Sequence, residues 1–206
     1  MNEEQAIVYV IDDDESVREG VADLLRSVGH AVHGFRSGQE FLHSKRDDAP
    51  GCIVLDVRLP GTSGLEFQRT LTKSNVHLPI VFLSGHGDIE MSVRAIKSGA
   101  IEFLTKPVHE QQLLDAVQAG VEHDRERRRQ ARTFGELRER FDSLTPRERE
   151  ILGLISEGLS NKAMARRLGI SVHTVKFHLE ALFTKLDATS RAEAVTKGLR
   201  GGVIEL

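Results

Sequence analysis

Five short apolar runs separated by amphipathic stretches constrain the first 120 residues of this chain more than any other feature. The runs are AIVYVI (6–11), AVHGF (31–35), CIVLDV (52–57), PIVFLS (79–84) and IEFLT (101–105). Strand-length apolar segments alternating with helical periodicity specify a parallel sheet with helices on both faces. Between the first two runs, Val17, Val21, Leu24, Leu25 and Val28 recur at helical spacing, and Gly29 stands where a helix ends. The later intervals, among them GLEFQRTL and DIEMSVRAIKSGA, repeat the pattern.

The text changes after Gly120. EHDRERRRQARTFGELRER is dense in charge of both signs, and is either a disordered linker or a solvated extension of the preceding helix. Good helix formers and the lack of proline favour the helix, with Gly135 as a weak point. Leu113, Leu114, Val117 and Val121 before it, and Phe134, Leu137, Phe141 and Leu144 after it, have spacings that would allow a helical seam between two copies of the chain. The remainder is punctuated as four short helices. Thr145-Pro146-Arg147-Glu148 is a capping box with proline in the first turn, Ser160 and Ser171 open the second and third helices, and Ser190 with Glu193 forms a capping box for the fourth. SNKAMARRLGISVHTVKFHLEALFTKL has the spacing of helix, tight turn at Gly169, and helix. The expected division is 1–121, a helical linker over 122–142, and a small all-α domain over 143–206.

The net charge of −3 hides an asymmetry: residues 1–120 carry −7 and residues 121–206 carry +4. An acidic front suits a cation site and a basic tail suits a polyanion. A single cysteine, Cys52, excludes an internal disulfide and a thiolate zinc cluster, which fits a reducing compartment. The start MNEEQ lacks signal-peptide features and no apolar run reaches membrane-spanning length, so a cytoplasmic protein with no membrane partner is expected.

In parallel α/β sheets, sites form beyond the carboxyl ends of the strands. The polar residues there are Asp12 and Asp13 after the first strand, Asp56 at the end of the third, Ser84 at the end of the fourth and Lys106 after the fifth. Two carboxylates about 4 Å apart repel by roughly 4 kcal/mol at the effective dielectric of a protein surface. A set of oxygen ligands selects a hard cation, Mg²⁺ above all, and a carboxylate beside such an ion, an ammonium and a hydroxyl can attack a phosphoryl group. Asp14, the third aspartate of IDDDES, fits a solvated helix-start acid.

IDDDES, LDVRLPGTSGLE, FLSGHGD and GAIEFLTKP together resemble the receiver domain of two-component response regulators, over about 120 residues. The resemblance implies a five-stranded flavodoxin- or CheY-like fold and a phosphoryl group accepted at Asp56 from a sensor histidine kinase. It also implies Mg²⁺ held by Asp13, Asp56 and the main-chain carbonyl of Arg58, with Asp12 acting through water. Ser84 and Phe103 occupy the positions of the switch hydroxyl and switch aromatic, and Lys106 that of the phosphoryl-binding ammonium. Ser84 stands where threonine is commoner, and Phe103 has no hydroxyl of its own. Arg58 and His86, each two positions beyond a pocket residue, are candidates for modulating attack of water on the phosphoaspartate.

The tail resembles the LuxR-type helix-turn-helix domain through LTPRERE, Gly158, Asn161-Lys162, LGIS, Thr174-Val175-Lys176, His178 and Lys185-Leu186. With the receiver, this places the chain nearest the FixJ branch of the NarL family. The implied recognition helix spans about Val172 to Leu186. Positions 172, 175, 179, 182, 183 and 186 would form its apolar face, and Lys176, Phe177 and Glu180 would point outward to base edges. Lys162, Thr174 and Lys185 would meet phosphates, which supply affinity without sequence information.

The resulting expectation is a phosphorylation-activated transcription regulator that dimerises through its fourth helix and fifth strand, presents two tails to promoter DNA and engages RNA polymerase. Three other classes make different demands on the sequence. A Mg²⁺-dependent phosphatase of the haloacid dehalogenase type would carry its nucleophile on the first strand, as D-x-D, with a cap over the site. A constitutive DNA binder would usually have lost part of the pocket. A four-helix protein-interaction module remains a reading of the tail.

Overall fold

The computed structural model describes residues 5–85 and 89–202. His86, expected to modulate dephosphorylation, lies outside the described residues. The chain divides into one unit ending at Arg128 and another beginning at Arg129.

The first unit is built on five parallel strands, β1 (Ile7–Ile11), β2 (Ala31–Phe35), β3 (Gly51–Asp56), β6 (Ile80–Ser84) and β7 (Glu102–Thr105), in the order β2-β1-β3-β6-β7. Successive side chains alternate between faces. Ile7, Tyr9 and Ile11 join Ile53, Leu55 and Phe82 in one core, under α2 (Gly38–His43) and α3 (Gly64–Lys73). Val8, Val10, Val54, Val81 and Leu83 join Leu25 of α1 (Glu15–Ser27) and Leu113 and Val117 of α5 (Glu110–Asp142) in the other. The chain leaves β1 for β2 on one side and returns to β3 on the other, so the strand order reverses between β1 and β3. Sites in such sheets form beyond the strand ends at this reversal, where Asp12 follows β1 and Asp56 ends β3.

Two short strands lie outside the sequence expectation. β4 (Arg58–Leu59) and β5 (Thr62–Ser63) form a hairpin directly after Asp56, turned by Pro60-Gly61 with Gly61 at φ 81°. A proline-glycine pair is the composition such a turn requires.

The charged run is helical, as its helix formers favour. Residues 122–142 continue α5, and the first unit extends to Arg128 because Asp124 is fully buried in it. The Asp124 carboxylate accepts from Gly51 N at 3.1 Å and pairs with Arg127 at 2.7 Å and Arg128 at 2.8 Å. Three of the residues spaced for a seam between two copies, Leu137, Phe141 and Leu144, have partners within the second unit. Phe141 and Leu144 are buried in the second unit's own core, and Leu137 packs against it.

The second unit's helices are α6 (Pro146–Ser156), α7 (Asn161–Leu168), α8 (Val172–Leu186) and α9 (Arg191–Arg200). Thr145 and Glu148 complete the expected capping box, and Ser160 and Ser171 cap α7 and α8. Gly169 adopts φ 66°, which ends α7 in the left-handed conformation that L side chains resist. At α9 the capping differs from expectation. Ser190 accepts from Glu193 N, whereas the Glu193 carboxylate accepts from Thr189 N and Oγ1, not from Ser190.

Candidate functional site

At the crevice between β1 and β3, Asp12, Asp56 and Ser84 are buried and Asp13 is exposed. Asp12, Asp13 and Asp56 each offer a carboxylate oxygen within 4.8 Å of the others. Lys106 follows β7, and its main-chain N–H is fixed to the Ser84 carbonyl at 2.8 Å. From there its Nζ donates to Asp12 Oδ2 at 2.6 Å and Asp56 Oδ1 at 2.9 Å. The ammonium therefore stands between two carboxylates that would otherwise repel. Burial pushes the Asp12 carboxyl up from its ordinary range, against the opposing pull of Lys106 and the Asp14 N–H. Burial alone would lower Lys106, but its hydrogen bonds to Asp12 and Asp56 outweigh this and hold the ammonium above its ordinary value.

The remaining Asp56 oxygen accepts from Arg58 N at 3.0 Å, at the base of the β4-β5 hairpin. Phe103 is half-buried on β7, with its ring centroid 6.3 Å from that of Phe82. The pocket thus unites Asp12, Asp13, Asp56, Ser84 and Lys106, while Phe103 lies on β7, three residues before Lys106. Asp14 stands apart. Its carboxylate accepts from Ser16 Oγ, Ser16 N and Val17 N at the start of α1, bonds that hold it below the usual carboxylate range. Three hard oxygen ligands converging on one small space fit a divalent cation such as Mg²⁺.

On α8 of the second unit, Val175, Leu179, Leu182 and Leu186 are buried, Phe183 is partly buried, and Lys176, Phe177 and Glu180 are exposed. Phe177 is 64% exposed, unusual for so large an apolar side chain. Val172, expected on the inward face, is exposed: it is the first helical residue and precedes the part of α8 that packs. Lys162 is exposed on α7, and Thr174 is half-buried with its hydroxyl 2.8 Å from Ser171 Oγ. Lys185, expected at phosphates, has partners within the second unit. Its ammonium is bound to the buried Glu148 carboxylate at 2.7 Å and to the Ser143 carbonyl at 3.1 Å.

The receiver-domain family of response regulators matches residues 8–118, and the luxR family of bacterial regulatory proteins matches residues 142–197. The chain is a response regulator. It is 47% identical over 191 residues to nodulation protein W of Bradyrhizobium diazoefficiens, covering 93% of this chain and 84% of that protein. It is 41% identical over 196 residues to the transcriptional regulatory protein FixJ of Azorhizobium caulinodans, covering 95% of this chain and 93% of that protein. Among solved structures it resembles the response regulator StyR, with a TM-score of 0.88 and 47% identity over 95% of this chain and 99% of that one. Full-length FixJ from B. japonicum matches with a TM-score of 0.58 and 34% identity over 97% and 98%. This response regulator therefore pairs a receiver domain with a LuxR-type domain, and its relatives include response regulators and transcriptional regulatory proteins. Among the described residues no helix is long and apolar enough to cross a membrane.

Arg18 belongs to none of these motifs. It is buried at the inward positions Arg18, Val21, Ala22 and Leu25 of α1, and its Nη1 donates to the Asp12 carbonyl at 2.8 Å. The available signal was an arginine in register with an apolar stripe, opposite a glycine in a strand.

Proposed function

We propose that this response regulator takes a phosphoryl group on Asp56 from a phosphohistidine of a sensor kinase and that the product controls binding of its tail to promoter DNA. The observation that carries this reading is the bridge of Lys106 between Asp12 and Asp56, which places a fixed ammonium beside a buried carboxylate. An Asp56 oxygen forms a bond to phosphorus as the phosphorus–nitrogen bond breaks, and the electron pair returns to the imidazole of the kinase. Asp12, Asp13, Asp56 and the Arg58 carbonyl would hold Mg²⁺, whose charge neutralises phosphoryl oxygens when bound. Lys106 neutralises a further oxygen, and the buried Ser84 hydroxyl donates to the phosphoryl group in the activated state. Phe103 follows Ser84 inward.

Activation then exposes or completes a dimer face on α4 (Ile89–Lys97) and β7. Ile89, Val93 and Ile96 form an exposed apolar stripe on α4 at helical spacing, a cost in water that a second copy would relieve. Two tails engage a two-fold symmetric promoter site, with Lys176, Phe177 and Glu180 of α8 at base edges and Lys162 and Thr174 at phosphates. RNA polymerase is the further partner of the bound dimer.

The reading is tested by incubating the full-length protein with acetyl phosphate and Mg²⁺ and mapping the modification by mass spectrometry. A single phosphoryl adduct on Asp56, absent from Asp56→Asn, is expected. An unmodified wild type, or an adduct elsewhere, would overturn it.

A further inference from the structure

The acidic pocket has a support that sequence motifs do not mark. Arg18 is only 5% exposed, and among the described residues it forms no ion pair; its one side-chain hydrogen bond runs from Nη1 to the main-chain carbonyl of Asp12. Burying a guanidinium without a carboxylate partner is costly, so its place calls for a reason. The opposite wall is shaped for it. A Cβ on Gly34 of β2 would lie 3.2 Å from Cδ and 3.3 Å from Cγ of Arg18, tighter than ordinary contact. Glycine weakens a strand, and its use here admits the arginine stem.

The bond has a specific target. Asp12 N donates to the Phe35 carbonyl at 3.1 Å, Asp12 Oδ1 accepts from Asp14 N at 3.0 Å, and Asp12 Oδ2 accepts from Lys106. The carbonyl is the last polar group of Asp12, and Arg18 fixes it. We infer that Arg18 is a positioning residue for the phosphoacceptor pocket, holding the Asp12 main chain so that its carboxylate is preset towards a divalent cation and Asp56. The inference rests on the reading of this pocket as a cation-binding phosphoacceptor site. Gly34 is its steric counterpart on β2.

The sign of the effect separates positioning from charge. If the guanidinium acted on the cation through its field alone, removing it would tighten cation binding. If it positions Asp12, removal loosens the pocket and weakens binding.

The test is isothermal titration of Mg²⁺ into full-length wild type, Arg18→Met, Arg18→Lys and Gly34→Ala, with thermal melts in parallel. Arg18→Met keeps the stem and loses the donor, and its Mg²⁺ dissociation constant should rise about tenfold, as when an outer partner of a metal ligand is lost. Arg18→Lys, which keeps a donor on an apolar stem, should restore most of the loss. Gly34→Ala should weaken binding in the same direction by crowding the stem, and it carries the test should Arg18→Met not fold. Wild-type affinity in Arg18→Met despite a lower melting temperature, or tighter binding, would overturn the inference while leaving the pocket reading intact. No Mg²⁺ binding by wild type would overturn the pocket reading and the inference with it.

Discussion

The Lys185 ammonium donates to the Glu148 carboxylate at 2.7 Å, joining α8 to the capped first turn of α6. The same carboxylate oxygen accepts from Thr145 N at 2.8 Å. Lys185 is therefore part of the scaffold that seats α8. Replacing Lys185 by Met should lower the second unit's stability by about 1–3 kcal/mol, because a buried carboxylate loses its charged partner. It should leave the salt dependence of DNA binding unchanged, whereas Lys162→Ala should reduce the salt slope by about 1. Chemical denaturation and binding measured across salt concentrations check the two outcomes together.

Base reading by α8 predicts a different signature. Lys176→Ala should cost about 1–3 kcal/mol at one base pair and relax discrimination there, with little change at other positions. Binding to a panel of single-base variants of a target site reads this. A uniform loss across the panel would assign Lys176 to the phosphates.

Glu193 gives the second unit a pH dependence. The Thr189 N–H, then Lys197 and the Thr189 hydroxyl, pull its carboxyl from the ordinary 4.5 down to about 2. A folded-state value below the unfolded one stabilises the fold above the unfolded value, and that contribution is lost as pH falls from about 4.5 towards 2. Glu148 is held low as well: burial would raise it, but Lys185 and Thr145 more than offset this. Melting temperature should fall through this acid window, and Glu193→Gln should melt lower at neutral pH with a flatter profile. Melts followed by circular dichroism at stepped pH are the check.

The apolar stripe on α4 makes a prediction about association. Beryllofluoride with Mg²⁺ should shift the wild type from monomer to dimer in gel filtration, and Val93→Glu should hold it monomeric, since a charge would be buried at the new interface. A dimer in Val93→Glu would move the interface elsewhere.

Much of this architecture was legible because its signals are local. Strand runs, Gly29, Gly169 and the caps at Thr145, Ser160 and Ser171 each act over a few residues, and the strand-end rule then gathers Asp12, Asp13, Asp56, Ser84 and Lys106 from distant segments. What escaped depended on partners far away in the chain. Asp124 reads as one more charge in a solvated run until Gly51, 73 residues earlier, is seen donating to it. Lys185 reads as a free cation until Glu148 is placed beside it. Phe141 and Leu144 have the spacing of a seam between copies, and only tertiary packing shows that the second unit buries them itself. Arg18 needed both the helical register and the missing side chain at Gly34.

The central claim is that phosphorylation of Asp56 governs where this protein sits on DNA. Genome-wide footprinting with wild type and Asp56→Asn, under conditions that phosphorylate the wild type, tests it most directly. The account predicts footprints over two-fold symmetric sites in the wild type that weaken or vanish in Asp56→Asn. Equal occupancy by both proteins at the same sites would contradict it.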